Sequence, residues 1–309
     1  MYPIAFRIIR SDVAEPNVDE AKPGCAGRRR DDIALPPPRA WLMGGHDASF
    51  EVDSHCRAFL SGLVAPGATG KTALRIAQAI ALATDKPITN QHLFHRCRVL
   101  MISFEDDRDE LNRRILAARL HHGIAASELK TWLFPACPKG LKLLEMRNGD
   151  RAVGMLEPAL RRAIERRKPD LVILDPFVKL HGLGENDNNA MDAVADLLVQ
   201  LAHEYNIAID SPAHTRKGVT AAGDADARRG ASAVRDAGRL DYTLIPMSED
   251  EAKAFGIKPE ERRFYLRLDS AKVNLLPRRP TLQAPEHRPR LPRYARADPV
   301  GCVPAQSSR

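Results

Sequence analysis

A short glycine-containing segment in the first quarter of the chain has the residue types that bind a phosphate chain. It consists of Ala65, Pro66, Gly67, Ala68, Thr69, Gly70, Lys71 and Thr72. Glycines allow such a loop to fold tightly enough for several backbone N–H groups to converge on phosphate oxygens. An apolar run at residues 59–64 precedes the loop, and an Ala-, Leu- and Ile-rich helical pattern follows it, as a Walker A motif requires.

The last two residues of this loop indicate which ligand it binds. Lys71 can reach the β and γ oxygens of a nucleoside triphosphate, and the Thr72 hydroxyl can ligate Mg²⁺. One position departs from the GxxxxGK[ST] pattern, because Ala65 stands where the first glycine is usual. Alanine fits at the exit of a strand unless φ is positive there. We therefore expect Mg·ATP to bind here; a chance glycine-rich turn is the alternative.

A second apolar run, residues 171–174, ends in Asp175 and Pro176. In a parallel sheet that carboxylate emerges at the carboxyl edge, beside the phosphate loop, where it can hold the water shell of Mg²⁺. An apolar strand that ends in Asp is common by itself. Combined with Lys71 and Thr72, it predicts that Asp175 belongs to the nucleotide and metal site.

A third apolar run, residues 99–104, leads into a cluster of acids: Glu105, Asp106 and Asp107. ATP hydrolysis needs a carboxylate that orients and polarises the attacking water. Glu105 is placed for this role. An acidic helix N-terminus at Asp106 and Asp107 is the alternative interpretation, and the two are compatible.

Short apolar runs alternate with helical patterns through the region that contains these motifs. The candidate strands are residues 59–64, 99–104, 171–174, 207–210, 240–245 and 264–268, and the candidate helices include residues 71–83, 109–121, 157–167 and 191–205. In the last helix one face is apolar: Met191, Val194, Leu198, Leu201 and Tyr205. This alternation predicts an α/β fold with a mostly parallel central sheet flanked by helices over residues 39–280.

The segments outside this region differ in composition. Residues 1–38 are polar and interrupted by prolines, and residues 281–309 are rich in Pro and Arg without periodicity. We expect an irregular N-terminal arm and a disordered C-terminal tail.

Bulk properties narrow the class of protein further. The net charge of +7 permits nucleic-acid binding without demonstrating it. The sequence has no apolar run of about 18 residues, so we expect no membrane span. The five cysteines form no CxxC pair, which fits reduced thiols and a cytoplasmic location.

The order of the motifs resembles the RepA-type (plasmid replicative helicase) branch of the RecA-like, AAA-type ATPases, which is related to the DnaB helicases. It reads Gly-Lys-Thr, strand-Glu-Asp, helix with Arg-Ile, strand-Leu-Asp-Pro, His-Thr-Arg-Lys and Arg-Gly-Ala-Ser. The resemblance covers residues 37–277. It implies a RecA-like P-loop core, Mg²⁺-dependent ATP hydrolysis, a homo-oligomeric ring with a hexamer as one option, and single-stranded DNA as a partner.

The resemblance also implies roles for individual residues. Glu105 would be the catalytic base, and Arg114, on the following helix, would face the site. Residues 186–189 match an acidic, Asn-rich loop. His214 would sense the γ-phosphate at the end of the fourth strand, and Lys272 would act at the ATP site of the neighbouring subunit.

The fourth strand and the C-terminal tail both depart from the pattern of that family. The sensor is usually a His-His pair, whereas this chain has Ala213 and His214, and Asp210 and Pro212 stand in a strand that should be apolar and hydrogen-bonded. The Pro/Arg-rich tail is also unlike a helicase C-terminus. Either departure would weaken sensor coupling or ring assembly.

Cationic residues after the third and fourth strands are candidates for contact with a DNA backbone. They are Lys179, Arg216, Lys217, Arg228 and Arg229. A solvated charged loop is an equally supported alternative. Three functions therefore stay open: a ring-forming motor on single-stranded DNA, an ATP-dependent switch that binds a partner without unwinding, and a degenerate protein that binds ATP poorly.

Overall fold

The computed structural model describes residues 55–184, 187–215 and 237–273, together with three further strands. The strands are β1 (Ile4–Ile9), β2 (Trp41–Gly44), β3 (His55–Cys56), β4 (Leu60–Ala65), β5 (His92–Leu93), β6 (Val99–Ser103), β7 (Leu133–Ala136), β8 (Leu144–Arg147), β9 (Asp150–Val153), β10 (Leu171–Asp175), β11 (Ala208–Asp210), β12 (Ala213–His214), β13 (Leu240–Pro246), β14 (Tyr265–Val273) and β15 (Tyr294–Pro299). The helices are α1 (Lys71–Thr84), α2 (Arg108–His121), α3 (Ala126–Leu129), α4 (Leu156–Arg167), α5 (Asn188–Tyr205) and α6 (Glu249–Ala254).

One large sheet forms the centre of the protein, with the strand order β1-β15-β14-β13-β4-β11-β10-β6-β7; β12 extends the line of β11 and also pairs with β4. Every pair from β13 to β7 is parallel, and β14, β15 and β1 add antiparallel pairs at one edge. This arrangement confirms the predicted α/β fold with a mostly parallel sheet flanked by helices. The phosphate-loop strand β4 lies two strands away from β10.

Both faces of the sheet are covered, which explains why the central strands read as continuous apolar runs. Along β10, Leu171 and Ile173 pack with apolar residues of α1 and α2. The alternate residues Val172 and Leu174 pack with α4 and α5 on the opposite face. Side chains of a strand alternate between faces, so a run without polar interruption indicates a strand buried on both sides.

The long elements follow the predicted bounds closely. Helices α1, α2 and α4 each agree with their predictions to within one residue at either end, and α5 begins three residues earlier than predicted, at Asn188. Asp187 caps α5 by accepting a hydrogen bond from the backbone N–H of Ala190 at 3.1 Å. On the predicted apolar face of α5, Met191, Val194, Leu198 and Leu201 are buried and Tyr205 is half-buried. β14 continues five residues beyond its predicted end.

Short elements were not predicted. The edge strand β7, the hairpin of β8 and β9, and the small sheet β3-β2-β5 are examples. Strands of two to four residues span too little sequence for a period of two to be recognised. Among the described residues, no helix has the length and apolar character that would let it cross a membrane.

Each of the two segments expected to be arms contains a strand among its described residues. β1 pairs antiparallel with β15, and β15 pairs antiparallel with β14. The rest of residues 1–38 and 281–309 lies outside the described residues, so the irregular arm and the disordered tail stay predictions. In β15 the small apolar residues Ala295 and Ala297 alternate with Arg296 and Asp298, a pattern too short to stand out in a Pro- and Arg-rich sequence.

Candidate active site

The phosphate loop connects the end of β4 to the start of α1. Gly70 has φ 89° and immediately precedes Lys71, the first residue of α1. This left-handed conformation favours glycine. Ala68 also has a positive φ, 61°, which is unusual for a residue with a Cβ. A Cβ added to Gly67 would meet no atom within 4 Å, so that side of the loop is open.

Ala65 fits where a glycine is usual because it remains part of the strand. It is the last residue of β4, fully buried, and aligned with His214 of β12 in a parallel pair. It is not among the described residues with positive φ. The backbone there is one that alanine adopts without strain, as expected.

The end of β10 brings a carboxylate against the start of α1. The Thr72 hydroxyl donates a hydrogen bond to Asp175 Oδ2 at 2.6 Å, and Lys71 Nζ lies 3.8 Å from Asp175 Oδ1. Both charged side chains are almost completely buried. Burial raises the pKa of Asp175, while the Lys71 ammonium and the Thr72 hydroxyl act in the opposite direction. The three residues predicted to hold phosphate and Mg²⁺ therefore form one group.

His214 lies between Lys71 and Glu105. Its Nε2 atom is 3.4 Å from Lys71 Nζ and 3.7 Å from Glu105 Oε1. Burial, and then the positive charge of Lys71, lower the pKa of His214, whereas Glu105 opposes this shift. The lowered pKa favours a neutral ring near pH 7, and a neutral ring can accept an N–H of Lys71 at Nε2. Glu105 itself is about half exposed, at 48%, so water can reach it.

The other acids after β6 have structural roles in the described contacts. Asp107 caps α2 by accepting the backbone N–H of Glu110 at 2.8 Å, which confirms the helix N-terminus as one function of the cluster. Arg114 lies 3.2 Å from Asp106 and 3.0 Å from Glu110. Burial raises the pKa of Asp106, and Arg114 opposes that effect. Arg114 thus lies beside the residue that follows Glu105.

Among the remaining predicted cationic residues, Lys179 is the one whose side chain is described, and it does not contact this group. Lys179 is exposed in the turn after β10, where its backbone carbonyl accepts a hydrogen bond from Lys142 Nζ at 2.7 Å. Lys272 is in β14, with its Cα aligned with that of Asp241 in β13. Arg216, Lys217, Arg228 and Arg229 lie outside the described residues, as does Asn186 of the Asn-rich loop.

A comparison with models of known protein families matches residues 26–219, more than half of the chain, to the AAA domain. The chain belongs to this family. The matched residues include the phosphate loop, Glu105, Asp175 and His214. The biochemical class of the protein is therefore that of an ATPase, with a nucleotide-binding site that usually depends on Mg²⁺.

The donor set of this AAA domain fits a Mg²⁺ ion that arrives with a nucleotide. Within the described residues, no group of three or more His, Cys, Asp or Glu side chains forms a metal site. Mg²⁺ needs no such group when phosphate oxygens and water supply most of its ligands. Asp175 Oδ1 is buried without a hydrogen-bond partner in the described structure, and the Thr72 hydroxyl lies beside the other oxygen. A buried oxygen in that state is suited to a cation or its bound water.

One polar residue of this AAA domain, Arg75, was not predicted from the sequence, and the role of its partner Asp210 was misjudged. Arg75 of α1 is fully buried and forms an ion pair with Asp210, the acid that appeared to disrupt the fourth strand. Pro212 interrupts that strand only between β11 and β12, and its carbonyl accepts the backbone N–H of Phe177 at 2.7 Å. A charged residue one helical turn after Lys71, on a helix that is mostly apolar, was the pattern that could have revealed Arg75.

Proposed function

We propose that this AAA domain protein hydrolyses Mg·ATP at its phosphate loop and that turnover is coupled to single-stranded DNA, as in RepA-type helicases. One observation carries the hydrolytic part of the proposal. The side chains of Lys71, Thr72, Asp175, Glu105 and His214 converge at the carboxyl edge of the sheet, joined by distances of 2.6 to 3.8 Å.

The residues of the loop have complementary roles in binding. Backbone N–H groups at the start of α1, with the positive end of the helix, bind the phosphate oxygens. Lys71 neutralises charge on the β and γ oxygens, and its effect is greatest where negative charge develops during phosphoryl transfer. Thr72 and Asp175 would hold Mg²⁺, and a bound Mg²⁺ would neutralise charge on the phosphate oxygens.

The acid and the imidazole beside the loop act on the attacking water. Glu105 accepts its proton, since the carboxylate is open to solvent at the rim of the group. His214 of β12 contacts both Lys71 and Glu105, so the presence of a γ-phosphate can change the position of His214 and of β12. Arg114 contributes positive charge at the same rim, held by Asp106 and Glu110.

Support for DNA binding comes from the family resemblance and from the positive charge of the chain. The proposed contacts are Lys179, Arg216, Lys217, Arg228 and Arg229. The test is the ATPase rate with and without single-stranded DNA, run alongside gel filtration. We expect DNA to stimulate turnover, and we expect log K for DNA to fall against log[salt] with a slope of about −2 to −4, at about −0.7 per neutralised phosphate.

The outcomes of that experiment separate the three functions. ATP turnover without DNA binding even at low salt would favour a switch that acts on a protein partner. ATP binding too weak to measure would indicate a degenerate site. Either result would overturn the proposed coupling to DNA.

Activity is proposed to belong to a ring, because the resemblance places Lys272 at the ATP site of a neighbouring subunit. An arginine in such a position contributes about 10³–10⁵ to the rate of phosphoryl transfer, and a lysine, a point charge without a fork, should contribute less. Specific activity should rise with protein concentration, and mixing Lys71→Ala with Lys272→Ala chains should restore some turnover. A rate independent of concentration, from a chain that stays monomeric with ATP and DNA, would contradict the ring.

A further inference from the structure

A buried ion pair joins the helix of the phosphate loop to the strand that leads to His214. The side chains of Arg75 and Asp210 are both 0% exposed, and Arg75 Nη2 lies 2.7 Å from Asp210 Oδ1. The two residues are 135 positions apart in the sequence. Because a buried charge without a counter-ion is very costly, each residue constrains where the other can lie.

Further polar contacts extend this pair into three elements. From β4, the Ser61 hydroxyl donates to Asp210 Oδ1 at 2.9 Å. Within α1, Arg75 Nη1 donates to Gln78 Oε1 at 2.7 Å, and Gln78 Nε2 donates to Gln91 Oε1 at 2.9 Å. All five side chains are buried. A connected buried network of this kind fixes one arrangement of the elements that it joins.

The ion pair runs parallel to a second contact, which belongs to the active site. Lys71 and Arg75 are one helical turn apart and therefore lie on the same side of α1. Asp210 and His214 are also four residues apart, on the line of β11 and β12. Lys71 meets His214 at 3.4 Å, and Arg75 meets Asp210 at 2.7 Å. The helix and the strand are thus joined twice, once at the active site and once in the core.

The register of the sheet preserves the same spacing. Asp210 is aligned with Ser61 and His214 with Ala65, so β4 spans the same four residues as the strand beside it. Although Pro212 interrupts the strand, β11 on one side of it and β12 on the other both pair with β4. The position of His214 in β12 therefore depends on where Asp210 holds β11 against its neighbours.

We propose that Arg75 and Asp210 are positioning residues of the ATP site, which set the distance between Lys71 and His214 by locking α1 against β11. The role of His214 in turnover rests on the proposed function, whereas the positional effect does not. A displacement of about 1 Å in such a site can cost about 10²-fold in rate. The pair thus acts on catalysis without touching the nucleotide.

The test replaces both charges at once. Single variants leave one buried charge unpaired, whereas apolar replacement of both partners is often tolerated, so the variant is Arg75→Met combined with Asp210→Leu. We expect a folded chain, a KM for ATP close to that of the wild type, and a kcat lower by about 10- to 100-fold. In the nucleotide-free protein, the His214 pKa followed by NMR should rise toward about 6.5, because a displaced His214 is less buried and lies farther from Lys71.

The NMR measurement separates this inference from the proposed function. A wild-type His214 pKa in the folded double variant overturns the inference whether or not the protein hydrolyses ATP. If the double variant does not fold, Arg75→Lys is the variant to measure, because it keeps the positive charge but loses the several N–H donors of the guanidinium group. We expect a smaller change in the same direction, and wild-type values of both kcat and the His214 pKa would overturn the inference.

Arg57→Met is the matched control. It removes the ion pair between Arg57 and Asp170, which joins the turn before β4 to the start of β10 at the opposite edge of the sheet. We expect kcat and the His214 pKa to stay at wild-type values in this variant. A similar change in the control would show that any loss of an ion pair disturbs the site, and would overturn the specific role of Arg75 and Asp210.

Discussion

An aspartate stands at each end of β10, and the two are partnered differently. Asp170, just before the strand, pairs through Oδ1 with Arg57 and accepts the backbone N–H of Arg98 at Oδ2, at 2.6 Å. Asp175, the last residue of the strand, accepts one hydrogen bond at Oδ2, from Thr72. Its Oδ1 has no hydrogen-bond partner in the described structure, and Lys71 is 3.8 Å away.

The more deeply buried carboxylate is therefore the less satisfied one. The side chain of Asp170 is 17% exposed and that of Asp175 is 4% exposed. A buried oxygen without a partner reduces stability, so its presence needs an explanation beyond folding. The difference indicates that the amino edge of the sheet serves stability and that the carboxyl edge is kept ready for a ligand.

The largest expected difference between the two edges is the loss of kcat in Lys71→Ala. It removes the ammonium at the carboxyl edge, where transition-state charge is stabilised, and should lower kcat by about 10³-fold. Arg57→Met removes a cation at the amino edge and should leave kcat unchanged. Steady-state ATPase assays on both variants measure the contrast, and wild-type-like hydrolysis by Lys71→Ala would refute the assigned site.

Exchanging the two aspartates for asparagine sharpens the comparison directly. Asp175→Asn should lower Mg²⁺-dependent turnover by about 10²-fold or more, since the amide is a poor cation ligand. Asp170→Asn should cost about 1 kcal/mol of stability and spare kcat. The reverse pattern in thermal melts and ATPase assays would contradict the division between the edges.

Glu105→Gln separates binding from hydrolysis at the carboxyl edge. The amide keeps the shape of the side chain but cannot take a proton, so kcat should fall by about 10²-fold while ATP stays bound. Equilibrium binding of a fluorescent ATP analogue and single-turnover hydrolysis measure the two steps. Asp106→Asn is the comparison variant, and if it alone slows hydrolysis, the wrong acid has been chosen.

The smallest effect concerns the pH dependence of stability. The pKa of His214 is lowered in the folded protein, so between that value and the ordinary one of about 6.5 the unfolded chain binds more protons. Stability should therefore fall as pH falls through this window. Replacing His214 by Gln should reduce the loss of melting temperature between pH 7.5 and 5.5, whereas His95→Gln, at an exposed position, is the control. Equal losses in all three proteins would show that His214 has no such role.

Much of the fold was predictable because its main elements are long. Helices of 12 to 18 residues, such as α4 and α5, repeat their apolar pattern over several turns. Strands β6 and β10 are apolar at nearly every position because both faces are covered. The strand β7 and the hairpin of β8 and β9 have four residues per strand, and whether they pair is decided by the neighbours that they meet.

The candidate site was partly predictable for a related reason. Parallel strands end at one edge of a sheet, so residues that follow β4, β6 and β10 must meet there. The sequence alone therefore predicted that Lys71, Glu105 and Asp175 lie together. It did not predict that Arg114 would be held between Asp106 and Glu110, because that depends on how α2 leaves the end of β6.

The sequence by itself determined which strand ends carry the phosphate loop and the acids, since those motifs are contiguous and each needs only its own strand and turn. Tertiary structure alone decided the strand order, which inserts β11 between β4 and β10. That order turned Asp210 from an apparent defect into the partner of Arg75, and it placed His214 between Lys71 and Glu105. A periodic pattern shows only which face of its own helix or strand a residue occupies. A buried charge needs a partner of opposite charge, and that partner can lie far away in the sequence, where no local pattern identifies it.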